Sequence, residues 1–512
     1  MKKSLLLFFI AAIFLGGCAV NPVTGKNELS LVSEQQEINI GKTQYSPMRQ
    51  AQGGDLTVDR ELTAYVSEVG QKLAAVSDRK LPYEFKVLNS SVPNAWALPG
   101  GKIVINRGLL TELNSEAELA AVLGHEITHA AAKHGARSMS RGMLLQGAMM
   151  ATVIAAQGKD YAQLAAMGAS VGGQLINKKY GRDAERESDH YGMIYMSRVG
   201  YDPQGAVDLQ KTFVRLSEGK RQDWLTGLFA SHPPSPERVQ NNIIMLAQLP
   251  KGGDAGVRRY QQKIARLKKN EPAYEAYDKA RKTLADGDTG QAANLVRKAI
   301  RIEPGEGHFH ALLGDIEKKK QNPRNAKRHY DKALSLNDGF FYYYLQRGLV
   351  NEALGSYSAA QSDLDKSVKL LPTAGAYNAL GNLARTSGNR QAAVKYYSKA
   401  AADKGATGKS AYGSLVEMDL KNNPGKYIKV KTGLDKRGRL KVQLTNTTPR
   451  AVNGMVVALK FKDKAGLTRS GEMEIRGTLK GETSKVIDLD LRLSREQLPT
   501  LQSTVIEARV VK

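Results

Sequence analysis

The stretch Gly124–Gly135, GHEITHAAAKHG, places three histidines and one glutamate within twelve residues. A helix advances about 100° per residue, so His125 and His129 stand one turn apart on the same face and their imidazoles can converge on one cation. Glu126, beside the first histidine, can address a water at that cation without being a ligand itself. The spacing points to zinc-assisted hydrolysis, in which the metal acidifies a water and polarises a carbonyl while the glutamate takes the water's proton. His134 lies five residues past His129, about 140° round a continuous helix. It therefore points away from the pair and is read as structural, or as a hydrogen-bond partner outside the ligand set.

A catalytic zinc usually has three protein ligands and keeps a fourth position open. No further histidine follows at the spacing of an extended motif, because Gly135 gives way to Ala136 and Arg137. The next acidic run is RDAERESDHYG, Arg182 to Gly192. Glu185 and Asp189 share one helical face there, and Glu187 is turned about 160° away from Glu185. One arrangement of these residues lets a glutamate bind the metal while the aspartate orients a histidine. On residue types alone, a solvated charged face fits equally well.

The elements that must position these groups are legible in outline. Residues 27–80 carry helical patterns, with Glu34, Ile38 and Ile40 early and Leu62, Val66, Val69 and Leu73 later. Phe85, Val87 and Leu88 predict a strand, and Pro93, Pro99, Gly100 and Gly101 mark turns around further short strands. Asn114 or Ser115 caps the helix that carries the motif, with Leu119, Val122 and Leu123 available to bury one face. Residues 138–177 are rich in Ala, Gly and Met and predict a buried or amphipathic helical pair. A membrane span is disfavoured there by Gln146, Gln157 and interspersed glycines. Residues 183–199 predict another helix, and His232-Pro233-Pro234 punctuates the segment that ends near Leu249.

After a basic linker at 251–270, the texture becomes periodic. Ala292, Ala326, Ala360 and Ala393 recur at steps of 34, 34 and 33 residues. Each is followed by Val296, Tyr330, Leu364 or Tyr397, and then by Ala299, Ala333, Ser367 or Ala400; each is preceded by Ala280, Gly314, Gly348 or Gly381. About four such units over 271–405 resemble tetratricopeptide repeats, an α-solenoid of helical pairs whose small residues permit close packing. Beyond Pro424 the period becomes two: Leu440, Val442 and Leu444 alternate, as do Ile487, Leu489, Leu491 and Leu493. Residues 427–512 thus predict a β-sandwich-like domain of unknown role.

The N-terminus, MKKSLLLFFIAAIFLGGCAV, has the charged start, apolar run and small residues of a secretory leader. Leu15-Gly16-Gly17-Cys18 resembles the bacterial lipobox, which implies a signal peptide at 1–17 and a lipid on Cys18. Ala19 after the cysteine then points to the outer membrane, facing the periplasm. Cys18 is the only cysteine, so no intrachain disulfide can form. A net charge of +25 favours acidic partners, but no compact Lys/Arg motif with interleaved aromatics occurs, and no nucleic acid is expected.

The ordered set His125-Glu126-Ile127-Thr128-His129, then Glu185-Arg186-Glu187-Ser188-Asp189, then Ser231-His232-Pro233-Pro234 resembles family 48 of the zinc metallopeptidases. The likeness covers residues 27–250 by motif, and a peptidase domain joined to repeats covers 271–405; the β-rich tail departs from it. The resemblance implies a mainly α, multidomain chain with an α-helical zincin-type domain carrying a small β-sheet. It implies one Zn2+ per chain, with His125, His129 and Glu185 as ligands, Glu126 as general base and Asp189 as the ligand-orienting partner. Ser188 stands where the family has alanine. His232 is implied either as a displaceable fourth ligand or as a donor to the tetrahedral intermediate, and Arg238 as a weaker candidate for a carboxylate or transition-state contact. Val92–Ile105 resembles the segment whose edge strand pairs with an extended substrate. The expected function is a lipid-anchored zinc endopeptidase acting on envelope proteins, in quality control or outer-membrane protein assembly, with the repeats holding a protein client. The alternative is an adaptor or chaperone whose peptidase site is latent.

Overall fold

The computed structural model describes residues 18–143, 180–218 and 228–511. It divides into two compact units, Met1–Phe340 and Phe341–Lys512. The leader and most of the helical pair expected at 138–177 lie outside the described residues. Among the described residues no helix is long and apolar enough to cross a membrane.

The first unit opens with a small hairpin, β1 (Cys18–Val20) against β2 (Asn27–Leu29). Helices α1 (Glu34–Ala51) and α2 (Arg60–Ala75) follow. On α2 the buried face is the predicted one, with Leu62, Val66, Val69 and Leu73 inside. On α1 it is Glu37, Gly41, Tyr45 and Met48, with Ile38 and Ile40 only half-buried. A charge pair sets that register: Arg79 Nη1 donates to Glu37 Oε2 at 2.9 Å and to the Ala130 carbonyl at 3.2 Å, tying α1 to the end of the motif helix.

Strand β3 (Glu84–Leu88) runs parallel to β5 (Lys102–Asn106), and β4 (Ala95–Leu98) pairs antiparallel on the other side of β5. The sheet order is therefore β3-β5-β4, with β4 at an edge. Gly100 and Gly101, at φ of 80° and 81°, make the turn between β4 and β5, a conformation that costs other residues a Cβ clash.

Helix α3 (Glu116–Ala131) carries the histidine motif. Ser115 is its cap, accepting from the Glu118 backbone N–H at 3.1 Å, and Asn114 instead donates to the Glu118 side chain. One apolar face was expected, yet all of α3 is buried. Helices α2, α4 (Arg182–Arg198) and α5 (Gln204–Glu218) and strands β4 and β5 surround it. Burying Leu119, Leu123 and Ile127 fully contributes roughly 1.5–3 kcal/mol each, which fixes the motif helix rigidly. Helix α6 (Pro236–Leu246) packs on α4 and α5.

Residues 251–270, read from composition as a linker, instead pack into this unit. Tyr260 is fully buried and donates to the Leu110 carbonyl at 2.6 Å, and Arg259 pairs with the buried Glu116. Two helical hairpins follow: α7 (Glu271–Ala285) with α8 (Thr289–Ile302), then α9 (Gly307–Lys319) with α10 (Pro323–Leu336).

The second unit begins with two more hairpins, α11 (Phe341–Ala353) with α12 (Tyr357–Leu370), and α13 (Ala374–Thr386) with α14 (Arg390–Ala400). The repeat register has a simple steric cause. A Cβ at Gly314 would sit 2.6 Å from the Tyr330 ring, one at Gly381 2.6 Å from the Tyr397 ring, and one at Gly348 2.9 Å from Leu364. Where the first hairpin has Val296 in place of a ring, Ala280 takes the glycine's position.

Helix α15 (Ala406–Asp419) closes the helical array, packing Ala411 and Leu415 against Tyr397 and Ala400. Its Val416 joins the core of the β-rich region. That region holds two three-stranded antiparallel sheets: β10 (Ser484–Arg492), β7 (Arg439–Asn446) and β6 (Ile428–Leu434), and β11 (Gln502–Val510), β8 (Val452–Lys462) and β9 (Thr468–Ile475). Leu440, Val442 and Leu444 from one sheet and Met455, Val457 and Leu459 from the other fill a single core, as the period-two pattern requires.

Candidate metal centre

Helices α3 and α4 cross where each has a glycine. A Cβ on Gly124 would meet the Gly192 carbonyl oxygen at 3.1 Å, and one on Gly192 would meet the His125 backbone nitrogen at 3.0 Å. This approach lays Glu185 and Asp189 of α4 against His125 and His129 of α3. The short helix Leu228–Ser231 then delivers His232 from a third direction.

Candidate donor atoms of His125, His129, Glu185 and His232 lie within 4.8 Å of one another. The Nε2 atoms of His125 and His129 face each other at 3.0 Å. Glu185 Oε1 lies 3.4 Å from His129 Nε2 and 2.9 Å from His232 Nδ1, and Glu185 Oε2 lies 3.6 Å from His125 Nε2. Two imidazole nitrogens and a carboxylate pointing at one spot fit the preferences of Zn2+. Glu126 Oε2 adds to that fit, since it is buried with no hydrogen-bond partner among the described residues. Buried polar atoms are ordinarily satisfied, so an unpaired carboxylate oxygen at the edge of the donor set signals a place for a cation or its water.

The surroundings tune these groups. Burial raises the Glu126 carboxyl, with His232 and His125 acting in the opposite sense. Burial also acts to raise Glu185, but His232, His129 and His125 overcome it and hold the carboxyl well below the usual range. The His129 imidazole is pushed well below its ordinary value, chiefly by burial, and so stays neutral as a ligand must.

Each motif histidine is held from behind. Asp189 Oδ1 sits 2.9 Å from His125 Nδ1, and Arg238 grips that aspartate with two contacts of 2.7 Å. Arg238 Nη1 also lies 3.0 Å from Glu185 Oε2, so one guanidinium braces both carboxylates. Arg238, a weaker candidate by sequence, pairs with the chain's own Asp189 and Glu185.

His134 departs from the helical projection. Helix α3 ends at Ala131 and Lys133 turns left-handed at φ 58°, so His134 starts a new helix over residues 134–143. Its Nδ1 thereby swings back to 2.8 Å from His129 Nδ1, and its Nε2 lies 3.2 Å from Glu187 Oε1. Asn21 donates to that same Glu187 oxygen at 3.0 Å. Glu187 is thus placed behind His129, outside the donor cluster. Tyr180, which sequence reasoning missed, stacks on the His129 ring with centroids 4.0 Å apart. Nothing in its local sequence signals this, because the chain before it carries no motif. Cys18 stands at the start of β1, three residues before Asn21.

A buried His-His-Glu centre on crossing helices, with a glutamate beside the first histidine, defines a metallopeptidase class, and comparison with known families agrees. The model of Peptidase family M48 matches residues 60–242, and that of the tetratricopeptide repeat matches 308–339 and 374–402. The chain belongs to peptidase family M48. Among individual proteins it is similar to the metalloprotease YcaL of Escherichia coli strain K12, with 32% identity over 184 residues, which is 34% of this chain and 69% of YcaL. It is also similar to the beta-barrel assembly-enhancing protease of the same strain, at 29% over 219 residues, covering 40% of this chain and 44% of the relative. The mitochondrial metalloendopeptidase OMA1 of Schizosaccharomyces pombe matches at 30% over 230 residues, 43% of this chain and 64% of that protein. The chain therefore spans somewhat under half the length of the assembly-enhancing protease.

Proposed function

We propose that this chain is a zinc-dependent metalloendopeptidase, held by a lipid on Cys18 at the outer membrane and facing the periplasm, that hydrolyses peptide bonds of envelope proteins. Quality control or outer-membrane protein assembly is the setting, by analogy with the name of the assembly-enhancing relative. The carrying observation is the donor set of His125, His129, Glu185 and His232 with Glu126 at its edge. Tetratricopeptide repeats support binding of a protein client, and β4 offers an edge strand to an extended peptide.

His125, His129 and Glu185 hold the ion, which when bound supplies Lewis-acid polarisation of the scissile carbonyl and acidifies the attacking water. Glu126, at the edge of the donor set and 3.5 Å from His232, receives the water's proton and passes it to the leaving amine. Asp189, fixed by Arg238, keeps the His125 ring in one orientation. Purified chain is expected to carry one zinc, to lose cleavage of a denatured protein on chelation and to regain it with zinc. Less than about half an equivalent of metal, with no activity restored by zinc, would sink the proposal.

A second reading, an adaptor or chaperone with a latent site, draws on His232, which completes a four-donor set and lies 3.5 Å from Glu126. His232→Ala separates the two roles of that histidine. Cleavage faster by several-fold marks a resting-state ligand, whereas a loss of about a hundredfold in kcat marks a donor to the tetrahedral intermediate.

A further inference from the structure

Beside the metal centre, α3, α4 and α5 enclose a pocket whose walls are largely apolar. Val122, Met193, Leu209, Phe213 and Leu228 line it, and Glu126 and His232 stand at the same cavity. A substrate residue lodged there would flank the bond being cut. Two polar residues line it that have no part in the metal centre: Asn242, which donates to the Ala206 carbonyl at 3.3 Å, and Gln210. Gln210 is only 3% exposed, on the face of α5 that also presents Ala206, Leu209 and Phe213 to the cavity, and its Oε1 has no hydrogen-bond partner among the described residues. A leucine or methionine would fill this position without a stranded acceptor, so packing gives no reason for the amide.

We propose that Gln210 is a specificity residue: its carboxamide receives a hydrogen bond from a neutral, donor-tipped side chain of the substrate residue next to the scissile bond, a threonine, serine, asparagine or glutamine. The inference rests on the peptidase reading and names its substrate class. A charged side chain is disfavoured because it must leave water for a largely apolar pocket. Arg238 is already engaged by Asp189 and Glu185, which leaves a substrate carboxylate no free counter-charge there. A purely aliphatic side chain would fill the space but leave the amide unpaired, and a site built around a hydrogen bond discriminates against the analogue that lacks it.

Isosteric pairs isolate the effect. Zinc-loaded full-length chain is given peptides in which the residues flanking one cleavable bond are varied, comparing threonine with valine and asparagine with leucine. The parent is expected to favour the polar member of each pair by about tenfold in kcat/KM, on one side of the bond only. Gln210→Met should erase or reverse that ratio while still cleaving the valine and leucine peptides. Gln210→Asn, which withdraws the amide by one methylene, should move the optimum from asparagine to glutamine, and it carries the test if the methionine variant does not fold. Parent cleavage that favours valine and leucine, or a ratio unchanged in the variants, overturns the pocket assignment and leaves the peptidase reading standing. Failure of the zinc-loaded parent to cleave any peptide overturns both.

Discussion

Glu126→Gln is expected to keep one zinc per chain and to lose at least about a hundredfold in peptide hydrolysis, within the range that general acid–base groups contribute. The side chain is 2% exposed and Oε2 has no partner among the described residues, so an amide of equal size enters without displacing a neighbour. Its position at the edge of the donor cluster, with an oxygen 3.5 Å from His232 Nε2, makes it available to a proton in transit. Glutamine preserves the volume and removes the basic oxygen. Metal analysis and initial rates on a denatured protein read the two quantities separately. A variant as fast as the parent shows that Glu126 is not the base. A variant that is inactive on peptides yet fully replaces the parent in cells shows that the chain's essential work is that of an adaptor.

Glu185→Gln is expected to weaken zinc binding by at least about a hundredfold, more than the loss that follows removal of an outer partner. The carboxylate lies between His125, His129 and His232, and no other acidic side chain belongs to the donor group among the described residues. The same change two residues along is the control. Glu187→Gln removes a carboxylate that touches His134 and Asn21, and its cost should stay within about tenfold. Competition with a metal-binding dye measures both constants. Equal losses in the two variants would mean that the helix, and not the particular carboxylate, holds the ion.

The two glutamates also show where the sequence stops. Spacing alone puts His125 and His129 on one face, because a helix repeats every 3.6 residues whatever surrounds it. Residue type alone leaves Glu185, Glu187 and a solvated face all open, and resemblance to a family was needed to choose. In the structure Glu185 is the glutamate that faces the histidines, because of one crossing: Gly124 and Gly192 let α3 and α4 approach closely, so the Glu185 and Asp189 face meets them while Arg182, Asp183 and Arg186 face solvent. His134 teaches the same lesson in reverse. Its projection held only for an unbroken helix, and the left-handed turn at Lys133 returned it to His129.

The sequence by itself determined the periodic parts. These are the two histidines on one helical face, the helical hairpins with glycine opposite a ring or a branched side chain, and the alternating strands whose inward residues make the β core. Each is a local repeat matched to the geometry of one element. The tertiary structure decided everything that depends on distant segments meeting. It brought His232 and Arg238 to the carboxylates of α4, stacked Tyr180 on His129, placed Asn21 beside Glu187 and set Gln210 in the wall of a largely apolar pocket. No local period encodes such contacts, because they arise from how the helices pack around α3, and packing is a property of the whole core.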